Sequence, residues 1–297
     1  MARYLVTGGE GFIGRYLVQH LRSLRNEVVT LDVAGKPDFK GSVCDHDLVR
    51  KASRNIDGAF HLAAITSPPQ FEKDPVDGFT VNVMGTLNVL KCASENGVPR
   101  VVFASSSSTY GDLKEKVSES GISLNHVNLY PLTKVFGELL GKYYSNRNET
   151  EVVSVRYFNT YGKGENTKSL YASVVWRFVT AALKSEDIVV YGDGTQSRDF
   201  IYVKDTVEGT IAAFEKGKSG NSYNVGSGTT HSFNDIAQKV KNITESNSRI
   251  VHVSNPLRNY QMFTQADIAK IQQDTGWKHL FDLEAGIKEV AALEKES

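Results

Sequence analysis

The sequence predicts an α/β protein built on a doubly wound parallel sheet. Two observations predict this class. From residue 3 to about 160, short β-branched runs alternate with longer stretches whose apolar residues recur at helical period. The first of these runs leads directly into a glycine-rich turn. After Asn159 the rhythm loosens into shorter elements separated by loops rich in Gly, Asn, Lys and Ser, which predicts a smaller α/β lobe.

The individual elements of the first region follow from these patterns. The predicted strands are residues 4–7, 27–32, 59–63, 100–105 and 152–157, and the predicted helices are residues 12–24, 75–95 and 131–144. The second helix carries Phe79, Val83, Leu87 and Leu90 on one stripe, which gives it a face to bury. The change of pattern after Asn159 places the boundary between a first domain (1–162) and a second lobe (163–297). We expect some segments of the lobe to pack back on the domain.

Composition excludes several function classes. The 297 residues carry 34 Lys and Arg against 34 Asp and Glu, so no net basic charge favours nucleic acid or an anionic membrane. No apolar run reaches 18 residues, and the first residues lack the apolar region of a signal peptide, so we expect a cytoplasmic protein without membrane association. Only Cys44 and Cys92 occur and the histidines are scattered, so no metal site is expected.

The glycine-rich stretch has the spacing of a dinucleotide-binding turn. Gly8 permits the tight turn, Gly11 lets backbone amides approach a pyrophosphate, and Gly14 allows close packing of helix on strand. Phe12 and Ile13 open the helix whose N-terminus would face the phosphates. Asp32 ends the second strand, where a carboxylate accepts hydrogen bonds from a ribose and repels a 2′-phosphate. The sequence therefore predicts NAD rather than NADP.

Two further segments are candidates for cofactor contact. Asp45 could contact the adenine, yet the acidic cluster at 45–47 is equally typical of a capped helix N-terminus. Leu62, Ala63 and Ala64 stand at the end of the third predicted strand, and their small or apolar side chains would let the cofactor phosphates approach the backbone. His61, by contrast, is expected to be structural, as isolated histidines at strand ends usually are.

A tyrosine and a lysine stand one helical turn apart at the start of the third helix. Pro131 suits a first helical turn, so Tyr130 and Lys134 share a face. A free tyrosine has a pKa near 10, and we expect the lysine cation and an oxidised nicotinamide to lower it, which would make Tyr130 an acid/base. Taken alone, these five residues favour the alternative of a tyrosine at a helix start with a solvated lysine. The serines at 105–108, however, end an apolar strand where active sites of open sheets lie, and one could hold a substrate oxygen.

With these motifs the sequence resembles the extended short-chain dehydrogenase/reductase family, and within it the NAD-dependent nucleotide-sugar epimerases typified by UDP-glucose 4-epimerase. The motifs that carry the resemblance are Gly8-x-x-Gly11-x-x-Gly14, Asp32, the His-Leu-Ala-Ala run at 61–64, Asn82, Ser105 and Ser106 before Tyr110-Gly111, Tyr130-x-x-x-Lys134, the Arg-Tyr-Phe-Asn run at 156–159, and the segment 192–205. The resemblance implies a Rossmann-type NAD-binding domain over 1–162, a nucleotide-sugar-binding lobe over 163–297, and a homodimer.

The resemblance also implies residue roles. It makes Ser106, Tyr130 and Lys134 the catalytic set, and it places Asn82, Ser105 and Tyr157 near the nicotinamide. The substrate-binding set that it implies is Thr66, Ser106, Ser107, Asn159, Arg198, Arg258 and Thr264. Asn159 and Arg198 would hold the nucleotide diphosphate, although Arg198 could instead pair with Asp199 or Asp205. Arg258 lies one residue from the register of the expected phosphate-binding arginine, and Thr264 lies where the family limits bulk at the sugar C2.

The reaction that the resemblance favours is 4-epimerisation. Dehydratases of the family carry Asp-Glu after the catalytic hydroxyl and decarboxylases usually carry a Glu, whereas this chain has Ser107 and Ser108. Neither serine is an acid/base at neutral pH. The alternatives are a nucleotide-sugar reductase or dehydrogenase with net redox change, an epimerase of another sugar such as a nucleotide-heptose, and a non-catalytic cofactor-binding module.

Overall fold

The computed structural model describes residues 1–66, 68–112, 114–123, 126, 128–166, 172–255 and 261–296. The strands are β1 (Arg3–Thr7), β2 (Glu27–Asp32), β3 (Phe39–Lys40), β4 (Gly58–His61), β5 (Arg100–Ser106), β6 (Glu151–Tyr157), β7 (Asn159–Tyr161), β8 (Ile188–Tyr191), β9 (Ser197–Tyr202), β10 (Ser222–Val225), β11 (Thr230–Ser232) and β12 (Ile250–Val253). The helices are α1 (Phe12–Ser23), α2 (His46–Ala52), α3 (Pro68–Lys73), α4 (Pro75–Phe79), α5 (Gly85–Glu95), α6 (Leu129–Asn146), α7 (Val174–Leu183), α8 (Val203–Lys216), α9 (Phe233–Thr244), α10 (Ala269–Thr275) and α11 (Leu283–Lys295). One π-helical turn (Thr80–Met84) joins α4 to α5, and a 3₁₀ turn (Ser107–Tyr110) follows β5.

The predicted fold class is confirmed. Within the described residues, seven parallel strands form one sheet in the order β10-β6-β5-β4-β1-β2-β3. The chain builds outward from β1 through β2 and β3, then returns to build the other side from β4. The carboxyl ends of β1 and β4 therefore flank the switch point, where open α/β sheets bind their ligands.

Helices cover both faces of this sheet, which explains why its strands are continuously apolar. The four residues from Val101 to Ala104 in β5 are all buried. Helices α1, α8 and α10 pack in the apolar core on one face. Helices α2, α5 and α6 pack in the core on the other face. The helices cover the two faces of the sheet and leave open the edge formed by the carboxyl ends of the strands. The site lies at this edge.

The second half of the chain contributes to two structures. Its β10 pairs with β6 and extends the main sheet. Strands β11, β9 and β7 form a smaller sheet, and β12 pairs with β8. Helices α7, α9 and α11 bury a separate apolar core against the smaller sheet. Among the described residues, the helices fall short of the length and apolarity that a bilayer crossing requires.

Three predicted elements differ from the structure. Strand β4 ends at His61 rather than at residue 63, which leaves Leu62, Ala63 and Ala64 as loop. The third predicted helix is longer and spans Leu129–Asn146. The predicted helix 75–95 is interrupted by the π turn Thr80–Met84. Within this turn the Asn82 side chain is buried and forms a hydrogen bond with the Ile65 backbone.

Candidate active site

An open cleft lies at the carboxyl ends of β1, β4 and β5. It consists of two adjoining cavities of about 330 Å³ and about 490 Å³, which share Gly8, Gly11, Leu62 and Ala64 as common lining. The predicted cofactor and catalytic residues that line the first cavity are Gly8, Gly11, Phe12, Ile13, Gly14, Leu62, Ala64, Ser105, Ser106, Tyr130, Lys134 and Tyr157. Asp32 and Ala63 line the second. Sequence positions far apart are thus brought to one groove.

The glycine-rich turn leaves no room for side chains on the groove floor. Gly8 has φ of +73°, and a Cβ on it would lie 2.7 Å from the Ala63 nitrogen. A Cβ on Gly14 would lie 2.0 Å from the Gly8 carbonyl oxygen. Among the described side chains none caps α1, so its N-terminal amides face the groove. This backbone cradle fits the diphosphate of a dinucleotide.

The adenosine end of the groove carries Asp32 but not Asp45. The Asp32 carboxylate accepts hydrogen bonds from the Glu10 nitrogen at 2.9 Å and the Ala34 nitrogen at 3.1 Å, which fixes it on the cavity wall. Asp45 caps α2, where its carboxylate accepts from the Leu48 nitrogen at 3.0 Å. Asp45 thus has the capping role considered as its alternative, residues 41–43 line the cavity, and the adenine contact of Asp45 stays a prediction.

Asn82 lies behind the groove rather than on its wall. Its Oδ1 accepts from the Ile65 nitrogen at 2.8 Å, and its Nδ2 donates to the Ile65 carbonyl oxygen at 2.9 Å and to Thr133 Oγ1 at 3.0 Å. Only 3% of Asn82 is exposed. Asn82 was predicted to lie near the nicotinamide. In the structure its amide instead connects the groove loop at residue 65 to helix α6 through hydrogen bonds.

His61 has the structural role expected of it. Thr86 Oγ1 donates to the Asn82 carbonyl oxygen at 2.6 Å, so it accepts from His61 Nε2 at 3.0 Å. His61 Nδ1 then accepts from Thr7 Oγ1 at 2.7 Å. Burial, aided by the Lys134 charge, lowers the His61 pKa to about 3. The ring is neutral and holds the ends of β1 and β4 together beneath the groove.

The tyrosine, the lysine and one serine meet as predicted. Asn128 caps α6 by accepting from the Tyr130 nitrogen at 3.1 Å, which sets Tyr130 in the first turn. The Tyr130 phenol forms a hydrogen bond with Ser106. Lys134 Nζ donates to the Ala104 carbonyl oxygen at 2.7 Å and lies 5.8 Å from the Tyr130 ring centre. The three side chains line one cavity.

The protonation behaviour of this set differs from the expectation. Burial raises the Tyr130 pKa to about 12, and the Ser106 hydrogen bond opposes that rise. Burial lowers the Lys134 pKa to about 8, and the Glu138 charge opposes that fall. The predicted lowering of the tyrosine pKa is therefore wrong for the protein without its cofactor, because desolvation outweighs the neighbouring groups.

The serine run contributes hydroxyls and no carboxylate. Ser106 Oγ accepts from the Ser108 nitrogen at 3.2 Å and from Ser108 Oγ at 2.9 Å. Its own proton is therefore available to the Tyr130 oxygen or to a substrate oxygen. Ser105 Oγ points away from this pair and donates to Glu138 Oε1.

The predicted substrate residues come from both halves of the chain. Thr66 lines the first cavity. Asn159 Nδ2 donates to the Asp199 carbonyl oxygen at 2.9 Å and to Thr264 Oγ1 at 3.0 Å. Thr264 has no exposed surface and also accepts from the Asp199 nitrogen at 3.0 Å. The role predicted for Thr264 at the sugar C2 is corrected, since a wholly buried hydroxyl positions Asn159 instead of limiting bulk in an open pocket.

The remaining arginines and serine are placed differently. Arg198 Nη1 donates to the Ser197 carbonyl oxygen at 2.9 Å, and its guanidinium lies 5.7 Å from the Phe233 ring centre. The two carboxylates considered as its partners bind backbone amides, Asp199 those of residues 227, 228 and 266, and Asp205 those of residues 280 and 281. Ser107 opens the 3₁₀ turn. Arg258 lies outside the described residues.

Sequence reasoning missed several residues of the site. Phe158 and Thr160 line the first cavity, and their place after the predicted strand at 152–157 could have indicated them. Glu138 is a second omission. Its position four residues after Lys134, on the same helical face, was the available signal.

A model of the NAD dependent epimerase/dehydratase family matches residues 4–226 of this chain. The chain belongs to this family. It is similar to a UDP-N-acetyl-alpha-D-glucosaminuronate decarboxylase of Bacillus cytotoxicus, at 35% identity over 269 residues, which cover 84% of this chain and 83% of the relative. The resemblance to the extended short-chain dehydrogenase/reductase family is confirmed with it.

Two solved structures show the same fold with ligands. A UDP-N-acetylglucosamine 4-epimerase of Methanobrevibacter ruminantium, in complex with UDP-N-acetylmuramic acid, is 28% identical with a TM-score of 0.91, and the alignment covers 99% of this chain and 98% of that one. A UDP-glucose 4-epimerase of Thermus thermophilus in complex with NAD is 27% identical with a TM-score of 0.88, covering 99% of each chain. The chain therefore belongs to a family of NAD-dependent enzymes, and these relatives are named for nucleotide sugars.

Proposed function

We propose that this protein is an NAD-dependent 4-epimerase of nucleotide sugars, with UDP-hexoses of the glucose and galactose type as its first candidate substrates. Residues 1–162 would bind NAD and residues 163–297 the nucleotide sugar. The observation that carries the proposal is the set Ser106, Tyr130 and Lys134 in one cavity, beside a 3₁₀ turn that adds only hydroxyls. Oxidation and reduction at one carbinol need one acid/base, and Tyr130 supplies it.

The side chains of this set divide the work of moving one proton. Tyr130 accepts the proton of the sugar 4-hydroxyl and returns it after the 4-keto sugar has rotated in the pocket to present its other face. Ser106 orients the sugar oxygen, and its own oxygen is held by Ser108. Lys134 holds a positive charge beside the phenol. When bound, NAD supplies the hydride acceptor and donor at C4 and a pyridinium charge that favours the phenolate.

A decarboxylase of nucleotide-sugar uronates is a second candidate, and the 35% identity to the Bacillus cytotoxicus enzyme favours it. Oxidation at C4 of a uronate gives a β-keto acid, which loses carbon dioxide without a second oxidation. The hydroxyl-only turn at Ser107 and Ser108 weighs against it, because the resemblance places a glutamate there in decarboxylases. The two activities share every step up to the 4-keto sugar, so product analysis must separate them.

Proton NMR of the NAD-loaded enzyme with UDP-glucose, UDP-N-acetylglucosamine and UDP-glucuronate tests the proposal. We expect the anomeric signals of the C4 epimer to grow to a constant ratio, with no NADH accumulation at 340 nm and no carbon dioxide. Conversion of UDP-glucuronate to a UDP-pentose without epimerisation would establish the decarboxylase. Consumption of reduced cofactor in proportion to product would establish a reductase.

We also propose that the active form is a homodimer formed by helix α6 and the segment preceding α5. Phe136, Leu139 and Tyr143 form an apolar stripe on α6 and are 45%, 55% and 53% exposed, and Met84 beside them is 51% exposed. A row of large apolar side chains at helical spacing is typical of a helix that packs on a second helix. A second copy of the chain would cover both helices in a four-helix arrangement.

Leu139→Asp is expected to convert the dimer to a monomer, because a charge in an apolar helix interface is left without a partner. Light scattering coupled to size exclusion measures the mass of each variant. Leu280→Asp is the matched control, since Leu280 is 82% exposed outside this stripe. A wild-type mass of one chain, or dimer loss in both variants, would contradict the proposed interface.

A further inference from the structure

Three side chains of α6, spaced four residues apart, contact three consecutive residues at the end of β5. The contacts join Tyr130 to Ser106, Lys134 Nζ to the Ala104 carbonyl oxygen at 2.7 Å, and Glu138 Oε1 to the Ser105 hydroxyl. Three successive turns of one helix thus face one strand end. The register between α6 and β5 determines whether the phenol meets the serine.

Glu138 is the best anchored of these three side chains. It pairs with Arg156 of β6 through Nε to Oε1 at 2.8 Å and Nη2 to Oε2 at 2.7 Å. Ser222 Oγ of β10 donates to Oε2 at 3.0 Å. Only 8% of Glu138 and 2% of Arg156 are exposed. A buried bidentate pair with its remaining lone pairs filled holds one geometry.

The same arginine carries the loop that follows the 3₁₀ turn. Arg156 Nη1 donates to the Glu119 carbonyl oxygen at 3.2 Å and to the Gly121 carbonyl oxygen at 3.1 Å. Its guanidinium lies 4.8 Å from the Tyr110 ring centre. The Glu119 carboxylate in turn accepts from the Asn224 nitrogen at 2.8 Å. Helix α6, strands β5, β6 and β10, and the loop around residue 119 therefore meet at one ion pair.

We propose that Glu138 is a positioning residue of the active site, which fixes the register of α6 on β5 and keeps the Lys134 side chain charged. The inference rests on the proposed roles of Tyr130 and Lys134. Glu138 touches neither cavity, so it acts through Ser105 and through its charge one helical turn from Lys134.

Among the ionisable groups near Lys134, Glu138 carries the negative charge, and its partner Arg156 carries an opposing positive charge. Tyr130 on the same helix is neutral, because burial raises its pKa to about 12. His61 on β4 is neutral above its pKa of about 3. Tyr157 on β6 is neutral as well, since burial raises its pKa. The Lys134 pKa, already lowered to about 8 by burial, is held up by the Glu138 charge alone among these groups.

NMR of protein labelled with ε-¹⁵N-lysine measures the titration of Lys134 directly, without cofactor or substrate, and Lys134→Met assigns its signal. In Glu138→Gln we expect the Lys134 midpoint to fall by about one pH unit, because the opposing charge is gone. Ser222→Ala is the matched control. It removes a hydrogen bond from the same carboxylate and keeps the charge, so the midpoint should stay in place. An unmoved midpoint in Glu138→Gln, or an equal fall in the control, would overturn the proposal.

The pH profile of turnover separates positioning from general damage. With whichever nucleotide sugar the enzyme converts, Glu138→Gln should lose about sixfold more activity at pH 8.5 than at pH 6.5, where the lysine is mostly charged in both proteins. A loss that is equal at both pH values would reduce Glu138 to a structural role. Absence of epimerisation in the wild type would leave the NMR result intact, so the two proposals fail separately.

Glu138→Gln leaves Arg156 buried without its partner, and an unpaired buried charge strongly destabilises a fold. If circular dichroism shows that the variant is unfolded, Glu138→Gln/Arg156→Met removes both charges and restores an apolar fit. A smaller downward shift of the Lys134 midpoint is expected in the double variant, because the Arg156 cation, which disfavours a charged lysine, is removed together with the Glu138 anion. A midpoint equal to that of the wild type in the folded double variant would overturn the proposal.

Discussion

Tyr130→Phe is expected to lower kcat about a thousandfold, because it deletes the only acid/base of the proposed mechanism while keeping the ring. The phenol contributes a hydrogen bond with Ser106 and an edge-on contact with Phe71 at 6.0 Å between ring centres. The second contact survives the substitution. The variant should therefore fold and retain NAD, and its loss should appear in kcat with KM for the nucleotide sugar little changed.

Tyr157→Phe provides the matched control. Tyr157 lines the same cavity, burial raises its pKa as well, and its hydroxyl is hydrogen-bonded to Thr210 Oγ1 at 2.9 Å. It has no place in the proposed proton transfer, so the substitution should cost about 1 kcal/mol of stability and leave kcat within about tenfold. Rates are measured from NMR time courses. A Tyr130→Phe variant that keeps a tenth of the wild-type rate would refute the assigned role.

Gly14→Ala is expected to abolish tight NAD binding and to destabilise the fold by about 3 kcal/mol. The added Cβ would lie 2.0 Å from the Gly8 carbonyl oxygen and 3.0 Å from the Gly9 Cα, both of them backbone atoms that cannot rotate away. Relief requires α1 to move off the turn, which withdraws the helix N-terminus from the diphosphate. We expect NAD affinity to fall about a hundredfold or more, measured by calorimetry, with urea unfolding as the stability assay.

Gly121→Ala is the control for the added methyl group. Its Cβ would meet its nearest atoms at 3.9 Å, which is ordinary contact, so neither NAD affinity nor stability should change appreciably. Normal NAD affinity in Gly14→Ala would show that the cofactor does not use this turn. Equal losses in both variants would mean that the assay reports general damage.

The sequence was sufficient to predict the sheet because its strands are buried on both faces. The run from Val101 to Ala104 is continuously apolar, and glycine or charged residues mark where such runs end. Strand β10 was not predicted. Its four residues, Ser222–Val225, carry a weak pattern, and only tertiary pairing with β6 places them in the sheet.

The site divides in the same way. Tyr130, Lys134 and Ser106 could be predicted because helical spacing and a strand end are readable in a sequence. The roles of Asn82 and Thr264 could not be predicted, because each accepts a hydrogen bond from a backbone amide that is distant in the sequence. A backbone amide has no signature in the sequence. The tyrosine pKa was mispredicted for a related reason. Desolvation depends on everything packed around a side chain, and a spacing of four residues reveals only one neighbour.

The π turn at Thr80–Met84 has a consequence for how this helix can change in length. A wide turn holds one residue more than an α-turn, so loss of a single residue within 80–84 would leave α4 and α5 in phase, with their apolar faces still directed at the same neighbours. The shortened helix would be the more regular one. The shortened helix would lose the hydrogen bonds between the Asn82 amide and the backbone nitrogen and oxygen of Ile65, and the groove wall would change shape. Selection for stability alone would favour the deletion, whereas selection for catalysis would favour keeping the π turn.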